Sequence, residues 1–261
     1  MIVREHDERL GTVEAIVRDV LGTVIGRIGP PTLYGGAAGV SVIRWRDDQR
    51  TVLLDHSAEG LRLSVWRTAE LEAEEEAGFE RDARAEPASY FSGLPYLWQL
   101  HRGAGTPPRS FPSVGIAPDW CWLEESLKVL LGAWRKQLPV QLGHDVAGFN
   151  VIPRGNREND LSALSVLFSE TEDVMLLVDD RSVPGGTPHD EMEHRGWQDR
   201  IMGWWRRDFY DLGAGSAAAA ARMAVDEIRL RRVRSPADLG VDEVRCEGGG
   251  RLALPGLAIG R

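Results

Sequence analysis

The chain has 261 residues, of which 43% are hydrophobic and 27% charged, and its formal net charge is −9. This composition is typical of a soluble globular protein and excludes fibrous, collagen-like and wholly disordered chains. The negative balance argues against broad electrostatic binding to nucleic acid or to an anionic membrane surface. We therefore expect a partner that is neither a nucleic acid nor a membrane.

The two cysteines, Cys121 and Cys246, stand alone, without a CxxC pair or a second ligand at metal spacing. Neither a disulfide framework nor a structural zinc site is predicted. The first residues lack the apolar core of a signal peptide, and no stretch approaches the roughly 18 apolar residues of a membrane span. These features predict a cytoplasmic protein.

The first structural unit is predicted over residues 1–85. Apolar residues at helical spacing predict a helix over 13–28, which Pro30 and Pro31 end. Three runs rich in β-branched and aromatic residues predict an antiparallel meander, at 40–45, 51–54 and 61–66. The glutamates that follow predict the solvated face of an exposed helix, namely Glu70, Glu72, Glu74, Glu75 and Glu76.

The stretch 86–118 is rich in proline and glycine and predicts a linker to a second unit over 119–261. In that unit Asp119 is the expected N-cap of a helix that ends before Pro139. Polar breaks then separate three more predicted strands, at 147–152, 161–168 and 174–178. We also expect the tail beyond residue 240 to dock on this unit as a strand.

The order of one helix and three strands occurs twice, at nearly the same offset along the chain. This agreement favours an internal duplication. A last helix is predicted to start at Ser216. The predicted fold is therefore α+β, with two related units of helix plus antiparallel meander and a C-terminal helix.

A glycine-rich turn precedes that last helix and contains Asp211, Gly213, Gly215 and Ser216. A D-L-G-x-G sequence before a helix resembles the first motif of class I methyltransferases, where the glycines let the backbone approach a nucleotide cofactor. That chemistry needs a buried apolar strand before the turn, and here charged residues precede it. We prefer a glycine hinge with Ser216 as the helix cap, and an S-adenosylmethionine-dependent methyltransferase is the alternative.

The segment 189–194 contains five potential metal ligands, but its histidines, His189 and His194, stand five residues apart. A zincin-like helix needs them four apart on one face, so a solvated acidic turn is the better interpretation. The sequence also contains no G-x-S-x-G elbow, P-loop or paired Cys and His signature. We therefore predict no catalytic residue, no metal site, no cofactor and no enzymatic activity.

Tryptophan is the most informative residue type, with nine in the chain. Tryptophan and arginine are enriched at protein contact sites, although a single tryptophan is more often packed in a core. The strand predicted at 174–178 is apolar on both of its faces, which is typical of a fully covered strand or of an interface. We interpret it as the pairing or dimer surface. The predicted partner-binding residues are Trp66, Val174, Leu176, Trp204 and Trp205.

The second unit resembles a known superfamily in the order of its elements. A helix and a meander are followed by Arg195-Gly196-Trp197, by Trp204-Trp205-Arg206-Arg207-Asp208-Phe209, and by a helix that leads to Pro236 and Leu239. Over residues 119–240 this order is similar to the peptide-binding chaperone superfamily of type III secretion chaperones and YbjN-like proteins. The resemblance implies a small α+β unit that holds a client segment in extended form, with no catalytic residue.

The sequence thus predicts a non-enzymatic chaperone or adaptor of a bacterial partner protein. Its client is expected to be a protein or an extended peptide, and the chain itself is a candidate homodimer. A related version is an immunity-type protein that masks one specific partner. The acidic balance of −9 would suit a basic toxin in that role.

Overall fold

The computed structural model describes a set of separate ranges of the chain. Within them the fold is α+β, as predicted, with helices, one 3₁₀ turn and antiparallel strands. None of the described helices is both long and apolar enough to cross a membrane. The described residues are 2–37, 41–57, 60–82, 95–100, 115–141, 147–154, 164–169, 173–180, 187–210, 214–231, 233–246, 251–254 and 257–260.

The N-terminal half begins with a long helix and continues as a meander. Its elements are α1 (Ile2–Ile28), β1 (Leu33–Ala37), β2 (Ser41–Arg46), β3 (Arg50–Ser57), β4 (Gly60–Arg67), α2 (Thr68–Asp82) and β5 (Pro95–Leu100). The C-terminal half consists of α3 (Trp120–Gln141), β6 (Ala147–Pro153), β7 (Leu164–Ser169), β8 (Asp173–Asp179), α4 (His189–His194), β9 (Asp199–Ile201), β10 (Trp204–Phe209), α5 (Ala214–Leu230), the 3₁₀ turn (Pro236–Asp238), β11 (Leu239–Cys246) and β12 (Arg251–Ala253).

In the described ranges twelve strands form one sheet, in the order β4-β3-β2-β1-β5-β12-β11-β6-β7-β8-β10-β9. The meanders of the two halves run outward from the middle of the sheet, β2 to β4 on one side and β6 to β8 on the other. The tail returns to the middle, where β11 pairs with β6 and β12 pairs with β5. Strands β4 and β9 are therefore the two edges.

The six predicted strands are all present, within a few residues of their predicted ends. Three boundaries differ from the prediction, and the first is the start of α1, which lies at Ile2 and not at residue 13. Helix α3 continues through Pro139 to Gln141, and the stretch 86–118 contains β5, which lies between β1 and β12. This stretch therefore contributes a strand to the sheet and is not only a linker. The duplication of the two units stays a prediction, because shared element order alone does not establish it.

The larger core lies between the C-terminal half of the sheet and two helices, α3 and α5. Small side chains on α5 let the helices approach closely, and a Cβ added at Gly132 of α3 would lie 4.0 Å from the Cβ of Ala217. The ring of Trp134 meets Phe149 and Phe168 edge to face. The core helices contribute Leu123, Leu127, Leu130, Leu131 and Trp134 from α3, and Ala217, Ala220, Ala221, Ala224, Val225 and Ile228 from α5.

The N-terminal half of the sheet has one helix on each face. Helix α1 packs Val17 and Leu21 against Ile43, Trp45 and Leu54 on one face. Helix α2 packs Leu71 on the other face, against Val42 and Leu53.

The α2 face also carries ion pairs. The Arg44 side chain donates to Glu75 (Nη1 to Oε2, 3.0 Å), and Arg46 donates to Glu72 (Nε to Oε1, 2.6 Å). The prediction that all the α2 glutamates are solvated was therefore wrong for Glu72 and Glu75, because the sheet presents two arginines to them.

Replacement of Gly148 in β6 is expected to destabilise the C-terminal half. A Cβ there would lie 2.7 Å from the backbone oxygen of Val166 and would overlap the side chain of Leu167. We expect Gly148→Ala to lower the free energy of unfolding by about 1–3 kcal/mol, measured by urea denaturation. Gly132→Ala is the matched control, because its Cβ meets only an ordinary contact. Equal stability of the two variants would contradict this account of the β6–β7 packing.

Candidate functional site

The structure places two of the predicted partner-binding residues in the core. Val174 and Leu176 of β8 are both 0% exposed, on the face that α3 and α5 cover. Strand β8 is also paired on both sides, with β7 and β10. This strand therefore has no free edge within the described ranges, and the face with Val174 and Leu176 is covered, so these two residues do not form the predicted pairing surface; Met175 and Leu177 on the other face are partly exposed.

The predicted tryptophans lie in three different environments. Trp205 is buried, and its Nε1 donates to Asp180 Oδ2 at 2.9 Å, so it is a core residue. Trp204 is partly buried on the opposite face of β10, across from Asp179. Trp66 is partly buried against the small cluster beneath α2. Only Trp66 and Trp204, of the five predicted residues, keep partial exposure.

A buried carboxylate, Asp180, orders the chain around Trp205. Its Oδ1 accepts from Arg200 Nη2 at 3.1 Å, and its Oδ2 accepts from Trp205 and from the backbone N–H of Thr187. Burial alone would raise the pKa of Asp180, but the hydrogen bonds from Trp205, Arg200 and Thr187 hold this pKa below its ordinary value. These bonds fix the β9–β10 hairpin to the end of β8.

The predicted acidic turn is helix α4. Its charged and histidine side chains face solvent, whereas Met192 is buried. His189, Asp190 and Glu193 offer ligand atoms within 4.8 Å of one another, and all three residues are exposed. The His189 ring also packs against Trp205 at 5.2 Å between centroids. Exposed acidic groups in this arrangement are common without a bound ion.

The strongest candidate site is a groove of about 790 Å³ on the outer side of α5, which we call the α5 groove. Its walls mix apolar and charged side chains. The lining residues are Arg195, Trp197, Ala219, Arg222, Met223, Asp226, Glu227, Arg229 and Leu230.

One wall of the groove is built by the turn that ends α4. Gly196 has φ +92°, a left-handed conformation that favours glycine, and its N–H donates to Glu193 O while the N–H of Trp197 donates to Met192 O. This pair of bonds is a Schellman motif, in which a hydrophobic residue just after the glycine packs back onto the helix. Trp197 and Met192 are both buried accordingly. The Arg-Gly-Trp sequence is therefore a helix cap that buries the tryptophan.

The other wall is α5, and a buried carboxylate joins the two walls. Glu227 Oε2 accepts from Arg195 Nη1 at 3.0 Å and from Trp197 Nε1 at 3.2 Å, and its Oε1 accepts from Arg231 Nε at 3.2 Å. Arg231 also donates to the backbone oxygen of Asp179 at 2.7 Å. Glu227 is only 4% exposed, so these donors compensate for its lost hydration.

The rim of the groove is exposed and carries charges of both signs, Arg222 and Arg229 together with Asp226. Leu230 is 60% exposed, although it is a large apolar side chain. Arg222 and Arg229 project beside it, and their ion pairs with Glu124 (3.5 Å) and Asp226 (3.8 Å) are long and solvated. An apolar wall with arginines at its rim can bind an apolar segment that carries acidic side chains.

Sequence reasoning named Arg195 and Trp197 only as part of a motif and missed Met223 and Leu230. The periodicity of α5 could have indicated Leu230. The alanines, Val225 and Ile228 form the buried face of this helix, so a large apolar residue that lies off this face, such as Leu230, is expected to be exposed.

The methyltransferase alternative depends on the turn 211–216, of which residues 211–213 lie outside the described residues. Helix α5 begins at Ala214, after β10. A cofactor turn of this kind follows a strand of a parallel sheet, whereas β10 is antiparallel to both β8 and β9. The observed topology gives this alternative no support.

No family model and no curated protein matches this chain. The candidate site is therefore interpreted from its own geometry.

Gly196 is expected to be required for the groove wall. A non-glycine residue in the left-handed region costs about 1–2 kcal/mol, so Gly196→Ala should lower the melting temperature. Gly215→Ala in the first turn of α5 is the control, because a Cβ there meets nothing within 4 Å. We expect this control to be neutral or slightly stabilising. Thermal unfolding followed by circular dichroism measures both, and an unchanged Gly196→Ala protein would contradict the cap assignment.

The lowered pKa of Asp180 predicts a pH-dependent contribution to stability. The folded pKa lies below 3.8, so the contribution is present above that pH and is lost as the pH falls through the folded value. At pH 7 we expect Asp180→Asn to be less stable than wild type by about 1–3 kcal/mol. The difference should shrink toward pH 3 in urea denaturation. The exposed Asp190→Asn variant is the control and should be as stable as wild type at pH 7. A difference for Asp180→Asn that stays constant with pH would refute the assignment.

Proposed function

We propose that this chain is a non-enzymatic protein- or peptide-binding protein, of the chaperone or adaptor type, that holds a segment of its partner in the α5 groove. The observation that carries the proposal is that the exposed apolar side chain of Leu230 lines the same groove as Met223, the buried Trp197 and two exposed arginines, Arg222 and Arg229. Aromatic residues, methionine and arginine are the types enriched at protein interfaces.

The size of the groove fits this role. A volume of about 790 Å³ lies within the range of pockets that bury a small ligand or a few side chains. Its outline is open along α5, so a segment of chain can enter without a change in the fold. A few apolar anchors of the client would therefore fill it.

The walls of the groove are held before a client arrives. Glu227 joins α5 to the turn of Arg195 and Trp197, and Arg231 joins the same carboxylate to the end of β8. Preorganised walls reduce the conformational entropy that is lost on binding. The fixed walls therefore favour the interpretation of the α5 groove as a binding surface over that of an incidental depression on the helix.

The charges at the rim define the client further. The ion pairs of Arg222 and Arg229 are solvent-exposed and contribute little to stability, so the two guanidinium groups can turn to acidic groups of a client. The expected client segment is thus apolar with flanking acidic residues. A chaperone or adaptor fits this chemistry better than an immunity-type protein for a basic toxin.

The resemblance to the peptide-binding chaperone superfamily adds support of a different kind. The C-terminal half runs α3, β6, β7, β8, α4, β9, β10 and α5, which is the order of elements on which that resemblance was drawn. Its Gly-Trp sequence forms one wall of the groove. We also keep a bacterial partner and a cytoplasmic location as parts of the proposal.

The test is affinity capture from the native lysate with wild type and with a charged groove variant. Leu230→Glu places a carboxylate among the anchors of the client, and we expect at least about 10-fold weaker recovery of the partner, which is about 1.4 kcal/mol. Ile116→Glu is the matched control, since Ile116 is another exposed apolar residue, 46% exposed, outside the groove. It should leave recovery unchanged.

Two outcomes would contradict the proposal. One is that no stoichiometric protein partner is recovered by the wild type. The other is that Leu230→Glu and Ile116→Glu recover the same partner equally well, which would move the client surface elsewhere.

A further inference from the structure

We propose that the outer edge of β4 pairs with the same strand of a second copy of this chain, so that two sheets join across a two-fold axis. This inference goes beyond the proposed function, because it uses the sheet edge opposite to the α5 groove. Within the described ranges β4 pairs only with β3. It is eight residues long, whereas the other edge strand, β9, has three.

Strand β4 has only part of the protection that is usual for an exposed edge, namely two exposed arginines, Arg62 and Arg67. It contains no proline, and Leu63 and Val65 are 56% and 65% exposed on it. Natural proteins shorten, charge or cover such edges, because an open apolar edge recruits other strands. The short β9 follows that rule, whereas in β4 the two arginines leave Leu63 and Val65 exposed between them.

The hydrogen-bond phase of the β3–β4 ladder shows which backbone groups face the open edge. Thr68 N–H donates to Gln49 O at 3.0 Å, next to the pair Arg50–Arg67. In an antiparallel ladder this bond makes Arg50–Arg67 a non-hydrogen-bonded pair, and the pairs alternate from there. The backbone groups that point outward therefore belong to Leu61, Leu63, Val65 and Arg67.

A two-fold axis through Ser64 satisfies all of these groups. In that register Leu63 pairs with Val65 of the second copy, and Leu61 pairs with Arg67 of the second copy. Each outward-facing residue then meets another outward-facing residue, as the alternation requires. If the register shifted by one residue, the outward N–H and C=O groups of one copy would face residues whose N–H and C=O groups are already bonded to β3.

The side chains are self-complementary in the same register. Leu63 and Val65 of both copies form one apolar patch on one face, and cross-strand pairs of this kind stabilise sheets. On the other face Arg62, which donates to Asp55 of its own copy (Nη2 to Oδ2, 2.7 Å), lies opposite Trp66 of the second copy, so its aliphatic stem can pack against the indole ring. No arginine of the strand stands opposite another arginine, so the charges favour a second copy as the occupant.

The expected affinity is modest. Seven paired residues span about 24 Å, and a contact of one strand edge buries less than a standard interface of about 1,600 Å². We therefore expect a dissociation constant in the micromolar range, where concentration decides the oligomeric state.

The experiment is sedimentation velocity of the full chain from about 1 to 300 µM, for wild type and two kinds of edge variant. Val65→Pro removes an outward N–H and leaves the β3 bonds intact, so dimerisation should weaken at least about 10-fold. Leu63→Lys and Val65→Glu should each weaken it as well, without affecting the fold, because both positions are exposed. Circular dichroism checks that the fold is retained.

Mixing the charged variants tests the register itself. In the proposed register Lys at 63 of one copy lies opposite Glu at 65 of the other, so the mixture should dimerise more strongly than either variant alone. A register centred on Leu63 or on Val65 does not place positions 63 and 65 opposite each other, so it predicts no such recovery. A wild type that is monomeric at the highest concentration, a dimer insensitive to Val65→Pro, or a mixture without recovery would each overturn the proposal. Leu230→Glu should dimerise like wild type, which separates this test from that of the groove.

Discussion

Burial of the Glu227 carboxylate is the constraint on which the C-terminal half depends. A buried carboxylate must be matched by donors, and here they come from the cap of α4, from the buried Trp197 and from the end of α5. Through Arg231 the same group reaches the end of β8, next to the second buried carboxylate, Asp180. Helix, cap and sheet are thereby fixed relative to one another, and the α5 groove is the surface that this fixation leaves open.

Local sequence patterns were sufficient for most of the fold. Helices and strands with clear periodicity were mostly predicted close to their observed ends, because each buries one apolar face or stripe; the start of α1, at Ile2 and not at residue 13, is the exception. The strands that were missed, such as β1 and β5, are short and contain or adjoin glycine and proline. Their conformation depends on pairing with β2, β12 and each other, which no local pattern reveals.

The candidate site was less predictable because exposure and ion pairing are properties of the tertiary structure. Arg195 and Glu227 are 32 residues apart in sequence, and nothing local marks them as partners. The apolar pattern of β8 predicted either a covered strand or an interface, and the interface was preferred. Only the structure shows that α3 and α5 cover Val174 and Leu176. Conversely, Leu63 and Val65 lie in a strand of ordinary alternation, and only the sheet order shows that this strand is an edge.

The two proposed surfaces lie toward opposite ends of one sheet, and this limits how they can cooperate. Strands are spaced about 4.8 Å apart, so twelve strands extend over roughly 50 Å before twist is considered. A dimer joined at β4 would place its two α5 grooves near the far ends of the joined sheet, and a short client segment could not reach both. Each groove would then bind its own client segment, and avidity would arise only for a client that is itself long or multivalent. Dimerisation would therefore change the number of clients held together and leave the affinity of each groove unchanged.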